Sequence, residues 1–229
     1  MAAKMKIIRK DFVEDDSCFF CSRKHSLTTK RAYIIELDNG KETQCGLCCA
    51  EKKFGKPIVD NTPDFTRSSI ECKSNISNSK GSNSTNNINS TRELEYLHLR
   101  CKYLDDFSNS TKIKFQLLMD IYNKNQFEIN DEDKKRINGI MNKLKNTKLS
   151  YKNLMACYQA KKILNMWIKQ EGDNTKSLSV AKSYYEFLKQ HCYFTKKQVV
   201  ALNKWIINMI KIPEINGKWF FKHENNTPV

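Results

Sequence analysis

The sequence predicts a mainly α-helical protein in which a small cysteine-rich module precedes a larger helical domain. Three observations lead to this prediction. Two Cys-x-x-Cys pairs lie close to the N-terminus, a stretch rich in Ser and Asn follows them, and apolar residues then recur at helical spacing to the C-terminal region. Only 7 Gly and 4 Pro occur among the 229 residues, which favours helices over a loop-rich β fold.

The cysteine motif reads Cys18-Phe-Phe-Cys21, then 23 residues, then Cys45-Gly-Leu-Cys48. Two thiolates that are two residues apart can reach one ion from a tight turn, and Zn²⁺ takes four such ligands in a tetrahedron. The spacing therefore predicts a Zn²⁺ site with Cys18, Cys21, Cys45 and Cys48 as ligands. Four cysteines close the coordination shell, which indicates a structural rather than a catalytic metal.

Two elements are predicted between and after the cysteine pairs. The apolar run that begins at Arg31 leads into Asp38-Asn39-Gly40, a sequence typical of a tight hairpin turn. The segment after Cys45 reads as a short helix that ends at Gly55. The expected order is a cysteine knuckle, a β-hairpin, and a helix that bears the second pair.

This order resembles a treble-clef zinc finger over residues 15–58. The segment CGLCCAEKKFG after a hairpin is also similar to zinc modules of uncharacterised phage and mobile-element proteins. The resemblance implies a fold and a metal but no activity, because treble clefs serve many functions. Cys49 is an alternative ligand to Cys48, and His25 is a further alternative if one cysteine does not bind.

Residues 73–90 predict a flexible linker, because twelve of the eighteen positions are Ser or Asn. Such a segment has too little apolar surface to offset the entropy lost on ordering. The expected domains are a zinc-binding module at 1–72, the linker at 73–90, and a basic α-helical domain at 91–229.

The helical domain carries recognisable helix starts. Ser90-Thr91-Arg92-Glu93 has the form of a capping box, and Asn130 precedes three acidic residues. Ser150 and Thr195 each stand between two apolar residues in the pattern of a hydrophobic staple. The helix starts at Asn130, Ser150 and Thr195 predict two helix hairpins, at 131–170 and 177–212. These hairpins belong to a bundle of about five to seven helices.

The charge of the chain is concentrated in this helical domain. The formal net charge is +15, and residues 93–229 alone carry 24 Lys and Arg against 14 Asp and Glu. Such a surplus predicts binding to the phosphates of DNA or RNA. Codon bias in an AT-rich genome is the alternative explanation for the many lysines. The expected contacts are the lysines of the two helix hairpins, which otherwise form a solvated face: Lys152, Lys161, Lys162, Lys196, Lys197 and Lys204.

The sequence carries no pattern of an active site. The chain has four His, no phosphate-binding glycine loop and no HExxH motif. We therefore expect a non-enzymatic accessory nucleic-acid-binding protein without a small-molecule substrate. The rival hypothesis is a protein-binding adaptor or inhibitor, of phage or mobile-element origin, and the salt dependence of binding separates the two.

The remaining features concern location and the C-terminal region. Nine Cys, no signal peptide and no long apolar segment predict an intracellular, cytoplasmic protein with reduced thiols and no membrane partner. Trp219-Phe220-Phe221 lies between Lys218 and Lys222. This segment either packs back onto the bundle or forms an exposed aromatic and basic surface on which bases stack.

Overall fold

The protein consists of a small antiparallel sheet followed by a set of helices. The computed structural model describes residues 5–15, 17–21, 27, 30–69, 87–107, 115–124, 129–171, 175–209 and 214–221. Within these residues the protein is mainly helical, as the sequence predicts, and the sheet has three strands in the order β1-β2-β3. No helix in this part of the chain is long and apolar enough to cross a bilayer.

The sheet contains the predicted hairpin and one further strand. Strands β2 (Arg31–Glu36) and β3 (Glu42–Cys45) form the hairpin, and β1 (Lys6–Phe12), which the sequence analysis does not predict, pairs with β2. Gly40 adopts a φ of 74°, and its N–H donates to the carbonyl of Leu37 over 2.8 Å. A three-residue loop needs this left-handed conformation at its last position, which explains the glycine.

Alternation along β2 divides its side chains between two small apolar clusters. Tyr33 and Ile35 pack with the cysteine side of the sheet, whereas Ala32 and Ile34 pack on the opposite face. Helices α1 (Leu47–Phe54) and α2 (Lys56–Asp60) follow β3 and cover the cysteine side. Cys45 at the hairpin end and Cys49 of α1 are thereby held against the sheet.

Six helices follow in the described part of the chain. Helix α3 continues directly into a π-helical turn at Leu99–Tyr103, and a short 3₁₀ turn lies at Gly217–Trp219. Their bounds are α3 Asn87–His98, α4 Gln116–Lys124, α5 Asp131–Lys143, α6 Tyr151–Gln170, α7 Thr175–His191 and α8 Lys196–Met209. Helix α6 is the centre of the core, since thirteen of its twenty residues are buried.

Local capping explains where several of these helices begin. The side chains of Asn130 and Ser150 accept from the backbone N–H groups of Asp133 and Asn153. The hydroxyl of Thr195 accepts from the N–H of Gln198 over 3.3 Å. The predicted starts of α5, α6 and α8 are therefore confirmed, while the repeat of the two hairpins stays an interpretation of the sequence.

The sheet and the helices contact each other through buried groups. Phe12 and Phe65 belong to the same buried cluster as the helices. Asp11, which is fully buried, accepts from the hydroxyl of Tyr158 over 2.6 Å and lies 3.3 Å from the ammonium of Lys162. Apolar packing and a buried polar contact thus connect the strands to α6.

The Ser and Asn stretch lies largely outside the described residues, which resume at Asn87 with the start of α3. The last four positions of the predicted linker, 87–90, are therefore helical. The predicted separation into two domains and a linker remains a prediction. His25, Cys72 and Lys222 lie outside the described residues.

Candidate metal centre and basic groove

Three cysteine thiols come together on one side of the sheet. The sulfur atoms of Cys18, Cys21 and Cys49 all lie within 4.8 Å of one another, and those of Cys21 and Cys49 are 2.9 Å apart. Tetrahedral Zn²⁺ with Zn–S bonds of about 2.3 Å separates its sulfurs by about 3.8 Å. These three thiols can therefore hold a metal ion.

The backbone around the cluster positions the first pair. The N–H of Cys21 donates to the carbonyl of Cys18 over 3.3 Å, which closes a tight turn, and the N–H of Phe19 donates to the carbonyl of Gln44 on β3. Burial opposes ionisation of Cys18, but N–H donors from Gly46 and Phe20 and the neighbouring thiols lower its pKa. Hydrogen bonds of this kind favour a thiolate, the form that binds a metal.

The second cysteine pair is arranged differently from the spacing-based prediction. Cys45 is fully buried at the end of β3, and burial together with the charges of Cys18 and Cys21 raises its pKa to about 12. Cys49 lies one residue further along α1 than Cys48, and its hydrogen bond with Cys21 raises its pKa to about 12. Cys48 is exposed and its thiol is not part of the three-sulfur cluster.

The six lysines predicted to contact phosphates do not share one surface. Lys161 donates to Asp106 over 2.5 Å and Lys162 pairs with Asp11, so both are engaged in ion pairs on α6. Lys197 and Lys204 are exposed on α8, and Lys196 borders a depression beside that helix. Lys152, at the start of α6, is the member that lines a strongly basic groove.

This basic groove consists of two adjoining depressions with volumes of about 790 Å³ and about 550 Å³. They share Arg92, Tyr151, Lys152 and Trp219 in their walls and therefore lie side by side. Among the described residues, the walls contain seven basic side chains and one acidic side chain. The basic residues are Lys10, Arg31, Arg67, Arg92, Lys145, Lys152 and Lys218, and the acidic residue is Asp64.

Distant parts of the chain supply these side chains. β1 and β2 bring Lys10 and Arg31, α3 brings Arg92, and Lys152 lies in the first turn of α6. The segment between α2 and α3 joins the two sides, because the N–H of Asn216 donates to the carbonyl of Ser68 over 2.8 Å. The groove therefore exists only because the sheet, the helices and the C-terminal turn meet there.

Most of the groove's positive charges are not neutralised by carboxylates. Lys10 pairs with Asp64 over 3.2 Å, and Arg67 pairs with the buried carboxylate of Glu95 over 3.2 Å. Within the described residues the other five cations make no ion pair. These five are Arg31, Arg92, Lys145, Lys152 and Lys218.

Two arginines of the groove are held by aromatic rings. The guanidinium carbon of Arg92 lies 5.1 Å from the ring centroid of Tyr151, and that of Arg31 lies 5.9 Å from that of Phe12. The Nε atom of Arg31 is buried and makes no hydrogen bond within the described residues. Stacking on a ring orients a guanidinium while leaving donors for an anion.

A buried carboxyl group lies behind the groove. Glu95 is fully buried and accepts from the N–H of Asp64 over 2.8 Å, from Arg67, and from the hydroxyl of Tyr151. Burial raises the pKa of Glu95 to about 7, although the charge of Arg67 and the hydrogen bond from Tyr151 act in the opposite direction. The charge behind the groove therefore changes near neutral pH.

The C-terminal turn brings aromatic side chains to the groove. Phe220 is buried, with its ring 5.6 Å from that of Phe194, whereas Trp219 and Phe221 are half-buried and line the groove. The N–H of Phe221 donates to the side chain of Asn153 over 2.7 Å. Both alternatives predicted for this segment therefore apply, each to different residues. Phe220 packs onto the bundle, whereas Trp219 and Phe221 line the groove.

The charge count of the helical domain did not indicate the arginines of the groove. Arg31 and Arg67 precede residues 93–229, where the charge count was made, and Arg92 lies just before them, beside the linker. No linear pattern joins them, because six separate segments supply the groove. The one signal in the sequence was the aromatic and basic run around Trp219.

No family model matches the chain, and no curated protein or solved structure matches it. The function is therefore inferred from the side chains of the cysteine cluster and of the basic groove.

Proposed function

We propose that this protein binds nucleic acid through the basic groove and that a zinc ion stabilises the sheet that forms one wall of it. The observation that carries the proposal is the composition of the groove: seven basic side chains against one acidic side chain. Five of these cations have no carboxylate partner within the described residues. A polyanion supplies the counter-charge that the protein leaves out.

The extent of the groove favours a polymer over a single small anion. The cations are distributed over two adjoining depressions, between β1 and β2 on one side and the end of α5 on the other. Nucleic acid presents phosphates at regular intervals and so can contact several of these groups at once. No described residue of the groove shows a base-specific role, so this part of the binding is independent of sequence.

The zinc part of the proposal assigns Cys18, Cys21, Cys45 and Cys49 as ligands and takes residues 15–58 as a treble clef. Three of these sulfurs are already close, and Cys45 packs in the same buried cluster as Cys18, with Cys21 and Cys49 against it. The exposed Cys48 of the spacing-based prediction is the alternative fourth ligand. A closed shell of four thiolates supplies folding energy and leaves no open position for catalysis.

Metal analysis of two matched variants tests the ligand assignment. We expect about one Zn²⁺ per chain in the purified protein, which Cys49→Ser loses and Cys48→Ser retains. If only Cys48→Ser lost its zinc, the fourth ligand would be Cys48, as the spacing predicts, and not Cys49. Wild-type protein that contains no metal, with Cys21 and Cys49 joined in a disulfide, would contradict the zinc assignment.

Two triple variants with equal charge changes test the nucleic-acid proposal. The first reverses three groove lysines (Lys145→Glu, Lys152→Glu, Lys218→Glu), and the second reverses three lysines at and on α8 (Lys196→Glu, Lys197→Glu, Lys204→Glu). We expect fluorescence anisotropy to show a much larger loss of affinity in the first. The slope of log K against log salt should also flatten by about 0.7 per lost contact with a single strand.

The matched design separates local contacts from net charge. Both variants replace three lysines by three glutamates, so a non-specific charge effect weakens them equally. Equal losses would contradict the groove assignment, and a larger loss in the second variant would favour the surface predicted from the sequence. Absence of binding by the wild-type protein at low salt would contradict the nucleic-acid proposal altogether.

A protein-binding adaptor is a second candidate, favoured by exposed apolar residues on α8. Val200 and Ile207 are about half exposed, at 48% and 56%, and Val200 borders an apolar depression of about 660 Å³. An apolar protein interface would retain its affinity as salt rises, whereas phosphate contacts weaken steeply. The same salt titration, carried out with any captured protein partner, distinguishes the two functions.

A further inference from the structure

The basic groove contains an aromatic residue whose placement is not explained by phosphate binding. Trp219 lines both depressions, is half-buried, and lies 6.3 Å from Tyr151 between ring centroids. Its indole N–H makes no hydrogen bond within the described residues. Trp167, in contrast, donates to Ser177 over 2.9 Å and stacks on Trp205 with centroids 3.7 Å apart.

The turn that carries Trp219 is held firmly on both sides. Ile215 before it is buried and exchanges two hydrogen bonds with the side chain of Asn203, over 2.9 and 3.0 Å. Phe220 after it is buried in the helical core. A side chain anchored in this way and left partly exposed is preorganised for contact, because little conformational entropy is lost when a ligand covers it.

We infer that the groove takes single-stranded nucleic acid, with one base stacked on the indole of Trp219 and the flanking phosphates on Arg92 and Lys152. This inference rests on the proposed function and names its ligand class. In a duplex the base faces are stacked on one another and are not available to an indole, whereas a single strand exposes them. An aromatic residue among unpaired cations is the combination that binds single strands without sequence preference.

A base on Trp219 would lie close to cations that reach the adjacent phosphates. Arg92 lies over Tyr151, the ring nearest to Trp219, and Lys152 follows Tyr151 in the chain. The stacked base and its backbone therefore meet one continuous surface. DNA and RNA share this chemistry, and strands of each type distinguish the two sources.

The experiment measures binding of labelled oligo-dT and oligo-U strands of about 12 nucleotides, a length within the range that such grooves occupy. A hairpin duplex with the same number of phosphates serves as the comparison. We expect the wild-type protein to prefer at least one single strand over the duplex. Trp219→Ala should lose about five- to 150-fold in affinity for that strand, and Trp219→Phe should retain most of it because a phenyl ring still stacks.

Trp205→Phe is the matched control, because Trp205 does not line the groove. This variant should bind as the wild type does and should retain quenching of tryptophan fluorescence by the strand, whereas Trp219→Phe should lose that quenching. Circular dichroism checks that Trp219→Ala is folded. If it is not, the loss of quenching in Trp219→Phe decides the question.

The outcomes separate this inference from the proposed function. Trp219→Ala that binds like the wild type, while the groove lysine variant fails to bind, would refute base stacking and leave the nucleic-acid function standing. Equal affinity for duplex and single strand would also overturn the inference. Binding to neither by the wild-type protein would instead refute the proposed function.

Discussion

The cysteine side of the sheet and the helical core are stabilised in different ways. Among the described residues, the helical cluster contains 34 buried residues, including Leu154, Ile163 and Trp167 of α6. The cluster on the cysteine side contains seven, and two of them are Cys18 and Cys45. Because so few apolar groups stabilise a fold only weakly, small regions of this kind depend on a metal or another cross-link. Apolar burial is therefore extensive among the helices and slight on the cysteine side, where the proposed zinc ion would supply the cross-link.

The largest effect should come from withdrawing the proposed zinc ion. Structural Zn²⁺ sites contribute binding free energies of about 10–16 kcal/mol near neutral pH. This binding free energy stabilises the folded state, because the unfolded chain has no preformed site. We expect chelation, or Cys18→Ser, to raise hydrogen exchange sharply in β2, β3 and α1 while α6 stays protected. Hydrogen exchange with mass spectrometry measures both regions in one sample.

Cys157→Ala is the matched control, because Cys157 is buried in the helical core and not in the cysteine cluster. It should keep its metal and leave exchange in β2 and β3 unchanged. If chelation exposed α6 as much as the sheet, the two regions would form one cooperative unit, and the contrast drawn between them would be wrong.

The contact between the two regions should produce the next largest effect. Asp11 accepts from Tyr158 and lies against Lys162, and its carboxylate is also 3.1 Å from the guanidinium of Arg9. Asp11→Ala leaves the buried guanidinium of Arg9 and the buried hydroxyl of Tyr158 without this partner, so the free energy of unfolding should fall by about 3–5 kcal/mol. Urea unfolding measures the change.

A second ion pair between the same regions provides the comparison. Glu14 lies 3.0 Å from Lys169 on α6, and both side chains are well exposed. Glu14→Ala should cost at most about 1 kcal/mol because solvent screens the pair. Similar losses for Asp11→Ala and Glu14→Ala would contradict the view that burial gives the Asp11 contact its importance.

A smaller loss is expected inside the helical region. Asn153 is fully buried, and its amide donates to the carbonyls of Lys148 and Cys192 over 2.7 Å each and accepts from the N–H of Phe221. Asn153→Ala removes three hydrogen bonds, so it should lower the free energy of unfolding by about 2–4 kcal/mol. It should also weaken nucleic-acid binding, since Phe221 follows the turn that carries Trp219.

The exposed Asn142 is the control for this change, and Asn142→Ala should alter stability by less than about 0.5 kcal/mol. Thermal unfolding followed by circular dichroism compares the two. A loss in Asn153→Ala no larger than that in Asn142→Ala would show that the amide network does not hold the C-terminal turn.

The smallest effect concerns pH. Glu95 has its pKa raised to about 7 by burial, compared with about 4.3 for a solvated glutamate. The folded state therefore keeps a proton that the unfolded state has lost, and the stability from this group falls as pH rises from about 4.3 to about 7. We expect Glu95→Gln, which cannot ionise, to show a smaller decrease in unfolding free energy between pH 5 and pH 8 than the wild type.

Urea unfolding at the two pH values measures this difference, and Glu132→Gln serves as the exposed control. Other groups that titrate in this range, including histidines, are present in all three proteins and cancel. A pH dependence of Glu95→Gln identical to that of the wild type would show that Glu95 is ionised throughout.

Local sequence determined the helices and the hairpin of this protein. Ser150 and Thr195 cap α6 and α8 as predicted, and Asp38-Asn39-Gly40 forms the turn between β2 and β3. Caps and turns depend on side chains and backbone groups only a few residues apart, so a linear pattern contains the necessary information. Strand β1 was missed because its partners on β2 lie 19 to 30 residues away and four of its seven residues are charged.

Tertiary structure alone decided which residues meet at the two sites. The spacing indicated a metal and named Cys18 and Cys21, but the way α1 packs on the sheet brings the thiol of Cys49 to them and leaves Cys48 exposed. Six segments converge on the basic groove, while Lys161 and Lys162 are engaged by acids that are more than fifty residues away in the chain. Composition counts charges, but only packing decides which of them stay unpaired and face a common surface.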